Sequence, residues 1–170
     1  LDEEKSLQLL ALSSGLRPED LDPKAREVAE ECDRLPLALA IVGSMARAAL
    51  ARGRSDPWEN ILHRLRSADL DKIKAEFPDY LYPNLLRAIE VSVKSLGLEE
   101  QRSYLDLAVF PEDEMIPEAA LRMIWGLDEH DAQDLADLLA DRSLARFSSG
   151  RLGLHDLQHD FAVKRAGDLP

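Results

Sequence analysis

Apolar residues recur along this chain at helical spacing, and acids, prolines and glycines mark where each run starts and stops. Asp2-Glu3-Glu4 opens the first helix, with Leu7, Leu10 and Ala11 on its apolar face and Gly15 near its end. Acids in that first turn suit the positive end of the helix dipole. Asp22-Pro23 opens the second, with Pro at the first helical position and Ala25, Val28, Ala29 and Cys32 behind it. The stretch from Leu35 to Met45 is apolar on nearly every face, which predicts the buried central helix of a bundle. It is too short to cross a bilayer, and Arg47 and Arg52 follow closely. Asp56-Pro57-Trp58-Glu59 opens a fourth helix with Trp58, Ile61, Leu62 and Leu65 on one stripe. From Ser67 to Asn84 no clear period holds and Pro78 and Pro83 interrupt the chain, so this stretch reads as an ordered connector and a domain boundary.

The second half predicts helices at about residues 84–95, 99–109, 117–125 and 128–141. Leu144, Leu152 and Leu154 then flank a Ser149-Gly150 turn, the pattern of a β-hairpin, and a last helix runs from about Asp156 to Ala166. Helices, a hairpin and a helix come in the order expected of a winged helix. The predicted fold class is all-α: a helical bundle over residues 1–66, a connector over 67–83, and a winged-helix domain with a small β-hairpin wing over 84–170.

Composition sharpens this picture. The chain has 170 residues, enough for one large or two small domains, and aromatics are only 5% while Ala and Leu dominate, a balance that favours helix. The net charge of −12 argues against nucleic acid, because phosphate binding relies on clustered Lys and Arg. The same holds locally. The helix at 128–141 carries Asp128, Glu129, Asp131, Asp134, Asp137 and Asp141 without a Lys or Arg, so a recognition helix of this composition is repelled from a major groove. Cys32 is the lone cysteine and has no partner for an internal disulfide, and no signal peptide or membrane-length apolar run is present. These features point to a reducing, cytoplasmic setting. A start at Leu1, with no initiator Met, reads as a piece of a longer protein.

Candidate chemistry is sparse. None of the eight glycines begins a G-x-x-x-x-G-K-[ST] loop, there is no G-x-S-x-G, and Cys32 has no evident His partner. No catalytic residue is therefore expected. His155 and His159 stand at i and i+4, the spacing of a zinc-peptidase helix, but the acid between them is Asp and no third ligand is close in sequence. The competing reading has Asp156 capping the helix while both histidines pack or face solvent; no metal site is expected.

Four short motifs, in order, carry a family resemblance. Cys32-Asp33-Arg34-Leu35-Pro36-Leu37-Ala38-Leu39 resembles the C-x-G-L-P-L-A-L motif of NB-ARC proteins, the ATPase-type switches of plant disease resistance and animal apoptosis. The stretch ending Phe110-Pro111-Glu112-Asp113 resembles that family's F-P-E-D, Trp125 matches the Trp that follows it, and Leu154-His155-Asp156 resembles M-H-D. Arg34 stands where the family usually has Gly, and Leu154 where it has Met. The resemblance implies a first ARC bundle and a winged helix that share ADP or ATP with a P-loop domain lying upstream. It implies that Pro36, between Leu35 and Leu37, lines the adenine–ribose side, that His155 hydrogen-bonds the β-phosphate, and that Asp156 holds the loop or caps the helix. The function it implies is a switch, closed with ADP and open with ATP, whose partners are that upstream domain and other protomers on activation. An adaptor that binds protein through the winged helix, with no role for nucleotide, is the alternative.

Overall fold

α1 (Glu3–Ser14) opens at Asp2, whose carboxylate accepts the Lys5 amide at 2.8 Å, and closes at Gly15 with φ 75°. α2 (Lys24–Glu31) follows a 3-10 turn at Pro18–Asp20, and Asp22 accepts the Lys24 amide at 2.8 Å. α3 (Pro36–Ala51) is the central helix that its sequence predicts, with every residue from Ile41 to Ala46 buried. α4 (Pro57–Ser67) is capped by Asp56 and buries Trp58, Ile61, Leu62 and Leu65. α1 packs along α3, and α4 packs on α2 and α3. The α1–α3 approach depends on Gly43, since a Cβ there would sit 2.4 Å from Ser13 Cβ. Leu10, Leu39, Ile41 and Leu65 are fully enclosed in this bundle, each contributing about 1.5–3 kcal/mol by burial.

The computed structural model describes residues 1–167, which form two units, one from Leu1 to Ser92 and the other beginning at Val93. The 67–83 stretch, expected as a connector, contains a further helix, α5 (Leu70–Glu76). Asp69 caps it by accepting the Lys72 amide at 2.9 Å, and Ile73 is its buried residue. The division between units comes later, inside α6 (Pro83–Lys94).

In the second unit, α7 (Leu98–Asp106) runs into a 3-10 turn at Leu107–Val109. Then come β1 (Ile116–Pro117), α8 (Glu118–Trp125), α9 (Glu129–Asp141), β2 (Arg146–Ser148), β3 (Arg151–Gly153) and α10 (Asp156–Ala166). The hairpin of β2 and β3 is as predicted. Its turn residues Ser149 and Gly150 take φ 52° and 70°, the left-handed pair of a type I′ turn that matches strand twist. β1 was not expected. It adds antiparallel to β3, with Ile116 opposite Leu152, giving a three-stranded sheet in the order β1-β3-β2. Helices, this sheet order and the terminal helix make a winged helix. Its core is Tyr104, Leu107, Ile116, Leu121, Leu139, Leu144, Leu152 and Phe161. Among the described residues no helix is long and apolar enough to cross a membrane.

Candidate functional site

The Cys32–Pro36 segment is a tight left-handed turn between α2 and α3. α2 ends in a Schellman arrangement: the Arg34 amide donates to the Ala29 carbonyl at 3.0 Å and the Asp33 amide to the Glu30 carbonyl at 2.9 Å. Asp33 and Arg34 have φ of 51° and 53°, and the Leu35 amide closes the turn on the Cys32 carbonyl at 3.1 Å. The glycine usual at position 34 fits this conformation without strain, and Arg34 adopts it despite its side chain. Leu35 is then the N-cap of α3, in extended conformation with no side-chain hydrogen bond to the helix amides, and Pro36 takes the first helical position. Pro36 is exposed, Leu35 and Leu37 are half-buried, and Ala38 and Leu39 are enclosed.

A polar cluster surrounds the turn. Glu31, the last residue of α2, receives Arg66 Nε at 3.0 Å on one carboxylate oxygen and Arg87 Nη2 at 2.9 Å on the other. Arg87 Nη2 also donates to the Glu31 carbonyl, and Asn84 Nδ2 donates to the Asp33 carboxylate. Burial pushes the Glu31 carboxyl up, but the hydrogen bonds from Arg66 and Arg87 outweigh it and leave it below its ordinary range. Cys32 is fully buried, and that burial pushes its thiol up to about 12, so it is neither a nucleophile nor a metal ligand in the folded chain.

At the other motif, His155 is itself the N-cap of α10. Its φ of −71° and ψ of 148° are those of a cap residue, and Nδ1 accepts the Leu157 amide at 3.3 Å. The His155 amide in turn donates to Gln158 Oε1 at 3.0 Å, completing a capping box. Gln158 is buried, and its Nε2–H donates to the Ser143 carbonyl at 2.7 Å. With Nδ1 used as an acceptor, the neutral ring carries its proton on Nε2, a donor on an exposed side chain. The cap expected at Asp156 therefore falls one residue earlier: an imidazole nitrogen occupies the place that a carboxylate oxygen normally fills. Asp156 is exposed in the first turn, where its charge suits the dipole.

The histidine pair does not assemble as a metal site. His159 Nε2 lies 2.8 Å from the Phe110 carbonyl, to which it can only donate, while His155 Nδ1 is occupied by the helix amide. His159 instead ties α10 to the Phe110-Pro111-Glu112-Asp113 stretch. Among the described residues the one group of potential ligands within 4.8 Å of one another is Glu112, Asp113 and Asp156, all exposed. Trp125 is half-buried, its indole N–H donating to the Ser103 carbonyl at 2.8 Å, and Phe110 is likewise half-buried, whereas Trp58 is core.

Sequence reasoning singled out Pro36 and His155; the structure places them in the first and second unit respectively, each at the start of a helix. It missed Arg87, Asn84 and Gln158. The available signal for Arg87 was its position among Leu85, Leu86, Ala88 and Ile89, a cation amid residues that α6 buries.

No family model matches the chain. Over 172 residues it is 32% identical to the apoptotic protease-activating factor 1 of Danio rerio, covering 99% of this chain and 13% of that protein. It is 28% identical over 169 residues to the protein of the same name from Rattus norvegicus, covering 97% and 13%. It is also 30% identical over 149 residues to disease resistance protein ADR1 of Arabidopsis thaliana, covering 79% and 18%. The chain thus spans less than a fifth of the length of these curated relatives. With its motifs and its fold, this similarity makes the chain a member of the NB-ARC family, over that family's helical-bundle and winged-helix portion.

Proposed function

We propose that this chain is the regulatory half of an NB-ARC nucleotide switch, favouring a closed state when ADP is bound and an open, oligomerising state with ATP. The unit from Leu1 to Ser92 and the winged-helix unit that begins at Val93 are its moving parts. The observation that carries the reading is the His155 cap. Its Nδ1 is committed to the helix, its ring is thereby fixed, and Nε2–H is left as a donor at the positive end of α10, where a phosphate oxygen is favoured. The N-terminus of α3 supports it too, since its amides meet no side-chain cap and exposed Pro36 offers an apolar surface for an adenine–ribose face. Bound nucleotide supplies the phosphate charge that distinguishes the two states. His155 donates to it, Pro36 packs against it, and Asp156 stays in solvent as dipole support; a P-loop domain elsewhere in the parent protein, of the kind the family carries, holds the rest.

The test uses the parent protein, purified and assayed for bound nucleotide and its exchange rate. His155→Asp keeps a good N-cap but sets a negative charge against phosphate, so folding stability stays within about 0.5 kcal/mol while ADP retention falls. Equal ADP retention in wild type and His155→Asp would sink the reading. A groove of about 450 Å³ between α7 and α9 favours the adaptor alternative: Trp125, Leu135 and Leu138 floor it, and Glu99, Asp131 and Asp134 rim it. A parent protein that purifies free of nucleotide, and whose partner binding fails when Trp125 is replaced by Ala, would decide for that alternative.

A further inference from the structure

Arg87 stands where α6 buries its other residues: Leu86, Ala88 and Ile89 are enclosed, and Arg87 is only 5% exposed. A guanidinium out of water is costly unless it is paired and hydrogen-bonded. Nη2 meets both the carboxylate and the carbonyl of Glu31, the residue at which α2 gives way to the turn. One turn earlier on α6, Asn84 holds the Asp33 side chain. Between them these two side chains grip a turn whose central residues, Asp33 and Arg34, both sit in the left-handed region that L-residues disfavour. The backbone delivering Pro36 is thus braced from α6 and not only by its own hydrogen bonds. α6 continues past Ser92, where the first unit ends, to Lys94 in the second.

We infer that Arg87 is a positioning residue through which α6 sets the Cys32–Pro36 turn, so that displacing α6 loosens the contact between Pro36 and nucleotide. Arg87 touches no nucleotide in this scheme; it acts through Glu31 and the turn. The inference rests on the nucleotide reading above and adds a route of regulation to it. A shift of α6, whatever drives it, withdraws the brace, and the turn relaxes toward conformations in which the first amides of α3 no longer point one way.

The test follows two readouts in the parent protein: ADP release, and alkylation of Cys32 tracked by the mass of its peptide. Cys32 is fully enclosed beside the turn, so it labels only when the turn opens. Arg87→Met is expected to speed both ADP release and Cys32 labelling by about tenfold or more, the loss of the two hydrogen bonds from Nη2 to the Glu31 carboxylate and carbonyl, and Arg87→Lys by less. Because Arg87→Met leaves Glu31 short of a partner, the double variant Arg87→Met/Glu31→Met serves as a second case. It removes the brace without stranding a charge, and it should fold while releasing ADP as fast as the single variant. Faster Cys32 labelling with unchanged ADP release in both variants overturns the inference and leaves the nucleotide reading standing. Unchanged labelling in both shows that Arg87 does not hold the turn, and overturns it as well. A wild-type parent without ADP overturns the nucleotide reading, and this inference with it.

Discussion

α3 starts with no side chain capping its amides; Pro36 removes one donor, Leu35 supplies only its carbonyl, and the entry turn is held by its own backbone hydrogen bonds together with the contacts of Arg87 and Asn84. α10 starts with a full capping box, built from His155 and Gln158 on the helix itself. Their bodies differ in the opposite sense. α3 is anchored by an unbroken buried run from Ile41 to Ala46, whereas α10 buries only Gln158, Phe161 and Ala162. A helix held by its body can leave its N-terminus free for a ligand. A helix held by its end uses the same residues for folding and for binding, so substitutions there mix the two effects unless the replacement keeps the cap.

That contrast can be tested by attacking each helix where it is held. Leu39→Ala, in the enclosed body of α3, should cost the most, about 3 kcal/mol, read as a fall in the urea midpoint with unchanged slope. A loss under about 1 kcal/mol would mean that α3 is not anchored by its body. Gln158→Ala should cost about 2 kcal/mol, because it strips the His155 amide of its acceptor and removes the hydrogen bond that buried Gln158 donates to the Ser143 carbonyl. Amide exchange should locate that loss in the first turn of α10. Arg34→Gly should go the other way, stabilising by up to about 1 kcal/mol, since glycine takes a φ of 53° without strain but also gains freedom in the unfolded chain. A destabilised Arg34→Gly would show that the side chain contributes more than its backbone costs.

The smallest effect concerns pH. Burial raises the Glu31 carboxyl while Arg66 and Arg87 lower it further, so its folded value lies below the ordinary 4.5. A depressed folded value means that the cluster stabilises the chain fully above that ordinary value, and that the contribution is lost as pH falls through the folded value. Urea midpoints taken at about pH 5 and about pH 3 should therefore converge in Glu31→Gln relative to wild type. An identical acid loss in both would remove Glu31 from the account of how the α3 entry is held.

The helices were legible because their ends were. Asp2, Asp56 and Gly15 mark termini by side-chain and backbone chemistry confined to a few neighbouring residues, and each performs the expected role in the structure. α5 escaped because seven residues do not show a period; Asp69 was its one clue. β1 escaped because a two-residue strand has no alternation, and its partner Leu152 lies far along the chain from Ile116. The cap at the family's His-Asp motif was placed on the carboxylate, the commoner capping group, whereas the backbone turns one residue earlier and lets the imidazole do that work. Nothing local announces the Glu31–Arg87 pairing, which forms only when α2 and α6 meet.

Gly43 sets a limit on how this bundle can vary. With 2.4 Å between its would-be Cβ and that of Ser13, even one methyl group must push α1 outward by on the order of an ångström before ordinary van der Waals spacing returns. In a saturation-mutagenesis scan of the buried run, neighbouring positions should accept conservative swaps while position 43 rejects all nineteen alternatives, Ala included. Sequence drift in this module is free to recolour its acidic exterior, but the axis on which α1 lies against α3 admits no larger atom.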